Sequence, residues 1–327
     1  MSTEYNDRPV IPSGMHKLVQ DKYLVPTNEI RKLYTKVAEW IEDRAPGGII
    51  YGFQRRGKTE AIKYVRDKLK EQYNDELPIF FIPAKHKFTA NEEVFYELLL
   101  LWTGHLFPYA GKKNHKFDRL AQFLHDKGES SRFKQVVMFI DEAQALLEAH
   151  YKWLIDVYNY LNEHNVKLIV ILVGQPQLKG NKNLYAAEGA LHIVGRFMSR
   201  EHQLFGAKSV NDISVCLKGY DNLEYPEGSG WSFTRYYYPE AYAAGERLEK
   251  CASTLFEAFA TVRQENGLGG KMEIGMQDLT NTIKHALVKY GAESKEKKYW
   301  IDLDTWIGCV RRSGYIDSEV SFIVQKS

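Results

Sequence analysis

The chain has 327 residues, and its 44 Lys and Arg residues nearly balance its 42 Asp and Glu residues, which gives a formal net charge of +2. This balance excludes a protein that holds nucleic acid through overall positive charge, so any such contact must come from local clusters. A hydrophobic fraction of 44%, with 21 Tyr and 16 Phe, excludes long disordered stretches and allows a sizeable core.

The beginning of the chain is a polar segment that leads into a helix–strand–helix pattern. Residues 1–23 contain Pro and Gly without clear apolar periodicity, and we expect an extended arm there. From Asn28, apolar residues recur at helical spacing and predict an amphipathic helix. The apolar run 49–51 predicts a short buried strand, and a helix is expected from Lys58 to about Tyr73.

Four more apolar runs alternate with helical patterns up to about residue 205. They predict strands at residues 78–82, 136–140, 168–173 and 202–205. One helix is expected to begin at Asn91, a second to contain residues 117–124, and a third to run from Ala143 to about His164. The run 168–173 is apolar throughout, as a parallel strand buried on both faces requires. The alternation predicts an α/β fold with a doubly wound parallel sheet over residues 24–205.

After residue 206 the pattern changes. Helical periodicity appears at 240–265, 276–290 and 302–312, around a stretch rich in Gly and Pro at 219–230. We therefore expect a mainly helical second region over residues 206–327.

The segment between the first strand and the next helix fits the phosphate-binding pattern G-x-x-x-x-G-K-[ST]. In such a loop, backbone N–H groups curl around phosphate oxygens at the positive end of a helix. Lys58 is expected to reach the β- and γ-phosphates of ATP, and the Thr59 hydroxyl to bind Mg²⁺. The alternative is an accidental Gly-Lys turn. The predicted nucleotide-binding residues are Gly52, Phe53, Gln54, Arg55, Arg56, Gly57, Lys58, Thr59 and Glu60, together with Asp141.

Two acidic residues, Asp141 and Glu142, directly follow the predicted strand 136–140. Asp141 is predicted to join Thr59 as a Mg²⁺ ligand, and Glu142 to polarise the attacking water as a general base. The alternative is structural, because carboxylates also stabilise the N-terminus of a helix.

Gln175 and Arg196 are candidates for two further catalytic roles beside Lys58 and Glu142. Gln175 follows the strand 168–173, where ATPases with an additional strand place a polar sensor; a turn-forming amide before Pro176 is the alternative. An arginine near Arg196 commonly faces the γ-phosphate of a neighbouring subunit and stabilises transition-state charge. A surface salt bridge is the other interpretation of Arg196.

The cysteines and the apolar runs indicate the cellular compartment of the protein. Cys216, Cys251 and Cys309 are far apart and form no CxxC pair, so neither a disulfide framework nor a zinc site is expected. The start has no signal-peptide core, and the longest apolar runs are too short to cross a bilayer. A cytoplasmic protein without membrane contact is predicted.

Two basic clusters are candidates for contact with duplex DNA. Lysines in loops can neutralise phosphates without reading sequence, although a solvated loop explains any single lysine equally well. The candidate residues are Lys85, Lys87, Lys112, Lys113, Lys116 and Arg119.

With these motifs placed, residues 24–312 resemble the TnsC/TniB family of AAA+ transposition ATPases, relatives of ExeA- and MuB-like proteins. The stretches that carry the resemblance are Gly52–Thr59, Ile140–Gln144, Val173–Leu178 and Gly195–Phe197, with weaker support from Tyr238–Gly245 and Glu273–Gly275. The resemblance implies an AAA+ core with a helical lid, and ATP and Mg²⁺ as cofactors. It also implies a homo-oligomer, ring or helical filament, on double-stranded DNA that recruits a transposase and leaves DNA on hydrolysis. Relatives in CRISPR-associated transposons also contact a target-selection protein.

This sequence departs from the family pattern at the lid, where Met276-Gln277 stands without a clear sensor arginine. Two hypotheses of other classes stay open beside the transposition regulator. One is a nucleotide-switched adaptor that binds proteins and no DNA, and the other is a P-loop enzyme that acts on a small substrate.

Overall fold

The computed structural model describes residues 7–84, 90–110 and 114–326, without the side chains of Asn114 and of residues 324–326. The chain divides into two compact units. The sheet unit consists of Lys32–Phe53 and Lys58–Leu204. The helical unit takes the described residues up to Arg31, the short piece Gln54–Gly57, and the chain from Phe205 onward.

The sheet unit contains five strands, all parallel, in the order β2-β3-β4-β1-β5. Apolar runs explain the strands, since every residue of β3 is buried and only the first residue of β4 is not. The strands are β1 Gly47–Tyr51, β2 Ile79–Pro83, β3 Gln135–Asp141, β4 Lys167–Gly174 and β5 Arg200–Gln203.

Helices cover both faces of this sheet. Alternate strand residues such as Met138 and Val170 pack with Phe95, Leu124 and Leu154 of three helices on one face. The helices of this part of the chain are α1 Asn28–Glu42, α2 Lys58–Gln72, α3 Glu92–Trp102, α4 Asn114–Ser130, α5 Glu148–Glu163, α6 Gln177–Ala187 and α7 Leu191–Phe197. The predicted parallel α/β sheet is therefore confirmed.

Two details of the sheet unit differ from the sequence predictions. The helix expected from Ala143 begins only at Glu148, after a short 3-10 turn, Ala143–Ala145, that follows Glu142 in a left-handed backbone conformation (φ 54°). The fifth strand lies at Arg200–Gln203 rather than at 202–205, because its register places Arg200 opposite Gly48 of β1.

The helical unit is built from seven α-helices within the described residues, including three that periodicity did not predict (α8, α9 and α14). They are α8 Val210–Asn222, α9 Phe233–Tyr237, α10 Pro239–Ala243, α11 Ala252–Glu265, α12 Met276–Tyr290, α13 Leu303–Arg312 and α14 Tyr315–Lys326. The predicted helix over 240–265 is interrupted at Gly245, whose φ of +92° favours glycine.

The N-terminal segment, expected as an extended arm, contributes to the core of the helical unit. Leu18 and Val25 are buried in it. The ring of His16 lies 4.7–5.1 Å from the rings of Phe233, Tyr236 and Tyr237. Burial lowers the pKa of His16 to about 4, so this imidazole stays neutral and packs as an aromatic ring.

Candidate nucleotide-binding site

The predicted catalytic residues follow three neighbouring strands at their carboxyl ends. β3 ends at Asp141, β4 at Gly174 and β1 at Tyr51, and the three strands are adjacent and parallel. The acidic pair, Gln175 and Gly52 therefore meet at one edge of the sheet, where open α/β sheets bind ligands.

The phosphate-binding loop begins at Gly52, whose N–H donates to the carbonyl of Gly174 at 3.2 Å. Lys58, at the start of α2, has only 9% of its surface exposed. Its ammonium donates to the carbonyl oxygens of Gly52 (2.8 Å) and Phe53 (3.0 Å). The ammonium is thus held inside the turn of its own loop, where a phosphate chain could take over these hydrogen bonds.

The middle of the loop, Gln54–Gly57, belongs to the helical unit, and its two arginines bond there. Arg55 donates to the Ser318 hydroxyl at 2.6 Å and to the buried Asp278 carboxylate at 3.3 Å. Arg56 donates to the carbonyl of Glu273 at 2.9 Å. The positive charges of both side chains are therefore engaged within the helical unit.

Three other predicted nucleotide-binding residues are Gly57, Gln54 and Glu60. Gly57 has φ +80°, and Gln54 is exposed. Glu60, also exposed, pairs with Lys63 at 2.6 Å, so the structure gives its side chain a partner on the surface of α2.

Thr59 and Asp141 place two oxygen-bearing side chains next to each other. The Thr59 hydroxyl lies 3.5 Å from the Asp141 carboxylate, whose residue is 8% exposed. Burial raises the pKa of Asp141, since desolvation disfavours its charged form. A hydroxyl beside a buried carboxylate suits a hard divalent cation, so the donor set fits the Mg²⁺ that the loop motif implies.

Glu142 is held by two amides. Its carboxylate accepts from the Gln144 side chain at 2.5 Å and from the Gln175 side chain at 3.5 Å. The same Gln144 side chain accepts from the Gln175 backbone N–H at 3.1 Å. Gln144 thus joins the predicted base to the predicted sensor, a role that sequence reasoning missed because it noted this residue only as part of a motif.

The contact of Gln144 depends on Gly174. A Cβ built on Gly174 would lie 2.4 Å from the Gln144 side-chain oxygen, closer than real Cβ contacts come. Glycine at the end of β4 therefore lets the amide approach the strand end.

Arg196 lies on the short helix α7 of the sheet unit. Its guanidinium donates to the carbonyl of His192 at 3.3 Å and lies 5.8 Å from the Tyr158 ring centroid. Among the described residues, no carboxylate comes within ion-pair distance of it. Nearby Arg200, in contrast, pairs with Asp43 at 3.3 Å.

The DNA-binding candidates are placed only in part. Lys85, Lys87, Lys112 and Lys113 lie outside the described residues. Arg119 donates to the carbonyl of Phe107 at 2.7 Å.

Lys116 requires a correction. It is 2% exposed, and its ammonium is bound by the carboxylates of Glu93 (2.6 Å) and Glu97. These hydrogen bonds raise its pKa. An ammonium that two carboxylates already neutralise has little attraction left for a phosphate, so Lys116 is removed from the proposed DNA path.

Comparisons with known proteins agree with this architecture. The family model of the AAA domain matches residues 41–180. Among curated proteins, none matches the sequence. In the part of the chain that the structure describes, no helix is both long and apolar enough to cross a membrane.

Two solved structures from Aeropyrum pernix share the fold. The ORC2 protein in its ADP form is 15% identical, covering 90% of this chain and 70% of its own, with a TM-score of 0.54. The ORC1 protein in complex with DNA is 12% identical, covering 90% and 68%, with a TM-score of 0.52. The chain therefore has the AAA+ P-loop fold, with a match to the AAA domain model over residues 41–180 and a helical C-terminal portion.

Proposed function

We propose that the protein is an ATPase that hydrolyses ATP to ADP and phosphate with Mg²⁺. The observation that carries this proposal is the arrangement of Glu142 beside the Thr59–Asp141 pair, with two amides on its carboxylate. A carboxylate oriented in this way can accept a proton from water, while its neighbour binds a cation. The ADP form of ORC2, which has the same fold, supports a nucleotide as the ligand.

Each residue has a distinct task in this proposal. Backbone N–H groups of the loop and the Lys58 ammonium bind the phosphates, and Thr59 and Asp141 hold Mg²⁺. When bound, the Mg²⁺ ion supplies positive charge that offsets the charge of the phosphate oxygens. Glu142 orients water and takes its proton, and Gln144 positions Glu142. Gln175 hydrogen-bonds the same carboxylate and can exchange that contact for one to the γ-phosphate.

Arg196 is proposed to act on a neighbouring subunit. Its guanidinium has no carboxylate partner among the described residues, and it lies on a short helix at the surface of the sheet unit. A charge left without an internal counterion is available to the phosphates of nucleotide held by another copy. Hydrolysis would then require a homo-oligomer.

We further propose, from the resemblance to the TnsC/TniB family, that the protein regulates transposition. It would assemble with ATP on double-stranded DNA without reading sequence, link a target-selection protein to a transposase, and disassemble on hydrolysis. The ORC1 structure in complex with DNA is compatible with a DNA-binding role for this fold. The DNA path would use Lys85, Lys87, Lys112, Lys113 and Arg119.

Three variants and one binding assay test the proposal. Lys58→Ala should lose ATP affinity, and Glu142→Gln should bind ATP and hold the assembled state while turnover falls by at least about 100-fold. Glu71→Gln is the matched control for Glu142→Gln, since Glu71 pairs with Lys68 on the surface of α2. Wild-type turnover by Glu142→Gln would refute the assigned base.

For DNA, filter binding to random duplexes is measured with and without ATP. Binding should strengthen with ATP and fall with salt, and each lysine replaced by Ala should reduce the slope of log affinity against log salt by about one unit. Lys116→Ala should leave that slope unchanged, because its charge is already neutralised. If the wild type binds no DNA even at low salt with ATP, the protein-only adaptor becomes the preferred function.

A further inference from the structure

The middle of the phosphate-binding loop, Gln54–Gly57, is part of the helical unit, and Arg55 within it has a strained backbone. Its φ is +63°, a left-handed conformation that residues other than glycine rarely adopt. Such a conformation persists where the surrounding contacts hold it in place. The contacts of Arg55 therefore identify what positions this part of the loop.

Helix α12 holds both the backbone and the side chain of Arg55. The Gln277 N–H, in the first turn of α12, donates to the Arg55 carbonyl at 3.2 Å. The Arg55 guanidinium donates to the Asp278 carboxylate at 3.3 Å. Burial raises the pKa of Asp278, whose side chain is 1% exposed, and the charge of Arg55 acts in the opposite direction. Loss of Arg55 would therefore leave a buried carboxylate without the cation that contacts it.

Helix α14 holds the same guanidinium. The Ser318 hydroxyl accepts a hydrogen bond from Arg55 at 2.6 Å and donates one to Asp278 at 2.9 Å. Arg55, Asp278 and Ser318 thus form a closed set of three hydrogen bonds. This set joins the loop to α12 and α14 together, so a displacement of Arg55 breaks a bond to each helix.

Arg56 connects the next residue of the loop to the same region. Its side chain is 4% exposed, donates to the Glu273 carbonyl at 2.9 Å and lies 3.2 Å from the Glu273 carboxylate. Its guanidinium also lies 5.1 Å from the centroid of the Phe322 ring of α14. Two successive residues of the loop are therefore fixed to the helical unit by charge.

These contacts bear on the missing sensor arginine. The helical unit has Met276-Gln277 where the family pattern would place an arginine that reaches toward the nucleotide. In this chain the arginines belong to the loop instead, and the acids that bind them belong to the helical unit. The charges for a link between loop and helical unit are present with their positions exchanged.

We propose that Arg55 is a positioning residue that holds the phosphate-binding loop against α12 and transmits the occupancy of the loop to α14. This role presupposes the nucleotide site proposed above. The loop offers backbone N–H groups to the phosphates that ATP and ADP share, and it binds them best when it is already held in place. Because coupling is reciprocal, a nucleotide that favours this loop conformation stabilises the bonds to α14 by the same factor.

Loss of the connection should weaken ATP and ADP alike and spare the chemical step. Arg55→Met and Asp278→Asn should each raise the Kd of a fluorescent ADP analogue and the KM for ATP by at least about fivefold. The kcat at saturating ATP should stay within about twofold, the opposite of the pattern expected for Glu142→Gln. The double variant should be little worse than either single one, since both changes break one connection.

Asp278→Asn separates positioning from a direct contact of Arg55 with phosphate. If Arg55 bound phosphate itself, its release from Asp278 would leave ADP affinity unchanged or increase it, and either result would overturn the proposal. Ser318→Ala is a second variant that leaves no buried charge unpaired, and it should raise the Kd by about twofold or more. Wild-type ADP affinity in both Ser318→Ala and Arg55→Met would also overturn it.

The matched control is Arg311→Met. Arg311 pairs with Glu265 at 2.8 Å on the surface of the same helical unit, so this variant removes an equal charge from an ion pair without a contact to the loop. Its ADP affinity should stay within about twofold of the wild type. An equal loss in Arg311→Met would attribute the effect to charge in general and refute the specific role of Arg55.

Hydrogen exchange of α14 is the readout that a merely structural role would not change. Saturating ADP should slow amide exchange in α14 of the wild type and leave it unchanged in Arg55→Met at the same occupancy. An α14 that does not respond to ADP in the wild type would overturn the coupling while the nucleotide site stands. Wild-type protein that binds ADP no better than Lys58→Ala would instead reject the nucleotide site, and the coupling with it.

Discussion

Gln144→Ala removes both hydrogen bonds that join the predicted base to the predicted sensor. The bond to the Glu142 carboxylate, 2.5 Å long, is charge-assisted and contributes about 1.5–3 kcal/mol. The bond from the Gln175 N–H, 3.1 Å long, is neutral and contributes about 0.5–1.5 kcal/mol. Only the bond to Glu142 orients the reacting carboxylate, so the loss of that bond determines the expected decrease in kcat. At about 1.4 kcal/mol per factor of ten, kcat should fall about ten- to 150-fold.

The assay is steady-state ATP hydrolysis together with equilibrium binding of a fluorescent ATP analogue. Because Gln144 acts through Glu142 and has no hydrogen bond to the phosphate-binding loop, kcat should fall while nucleotide affinity and KM stay within about twofold. Gln177→Ala, an exposed glutamine at the start of α6, is the matched control and should behave as wild type.

Gly174→Ala tests the same contact from the other side. The added Cβ would stand 2.4 Å from the Gln144 oxygen and displace the amide. It should lower kcat in the same direction, and the double variant should be little worse than either single one, since both remove one interaction. A Gln144→Ala enzyme with wild-type kcat, or one whose KM rises as kcat falls, would refute the positioning role.

Three further predictions concern other parts of the molecule. Arg196→Ala should bind ATP with unchanged affinity but lose hydrolysis, and mixing it with Lys58→Ala should restore part of the turnover; no recovery in mixtures shown to co-assemble would contradict action in trans. Cys216, Cys251 and Cys309 are buried, and burial raises their thiol pKa values to about 12, 11 and 12. The native protein at pH 8 should therefore react slowly with a thiol reagent, and all three thiols should react only after unfolding; rapid labelling of the native protein would contradict their burial. The free energy of unfolding should fall as pH rises above the ordinary thiol pKa of about 8.5, because the unfolded chain then loses protons first. Arg263→Met should cost about 3–5 kcal/mol in the free energy of unfolding, since it leaves the buried Glu319 unpaired, whereas Arg263→Met/Glu319→Leu should cost far less; equal losses in chemical denaturation would argue against the pairing.

The sheet and the positions of its first four strands were predictable, because each of these strands contains a continuous apolar run. The fifth strand, Arg200–Gln203, contains none, and its predicted position was two residues too late. Parallel order then places the residues after those runs at one edge, so Asp141, Glu142 and Gln175 could be grouped before any coordinates were known. Their catalytic roles stay predictions. The five-residue helix α9 was missed because its buried residues are mostly aromatic and pack around His16, a tertiary environment that periodicity does not encode.

The role of Gln144 depends on backbone conformation that the sequence pattern did not reveal. Periodicity extended the helix of α5 back to Ala143, which would have carried Gln144 along a regular helical face. The left-handed conformation of Glu142 and the 3-10 turn instead place the Gln144 amide next to the carboxyl end of β4. Residues with φ above zero are uncommon without glycine, and strain of this kind clusters at functional sites.

Lys116 shows why a count of basic residues overestimates a DNA path. In the sequence it follows Lys112 and Lys113 and extends their cluster, yet its position on α4 directs its ammonium to Glu93 and Glu97 of α3. A lysine that is neutralised within the fold releases no counterions when DNA binds, so it cannot contribute to the salt dependence. A DNA path therefore needs cationic side chains without a carboxylate partner, and among the described candidates Arg119, which donates to the carbonyl of Phe107, meets that condition. Arg119→Ala should accordingly reduce the slope of log affinity against log salt by about one unit while Lys116→Ala leaves it unchanged, and an equal reduction by both variants would contradict this distinction.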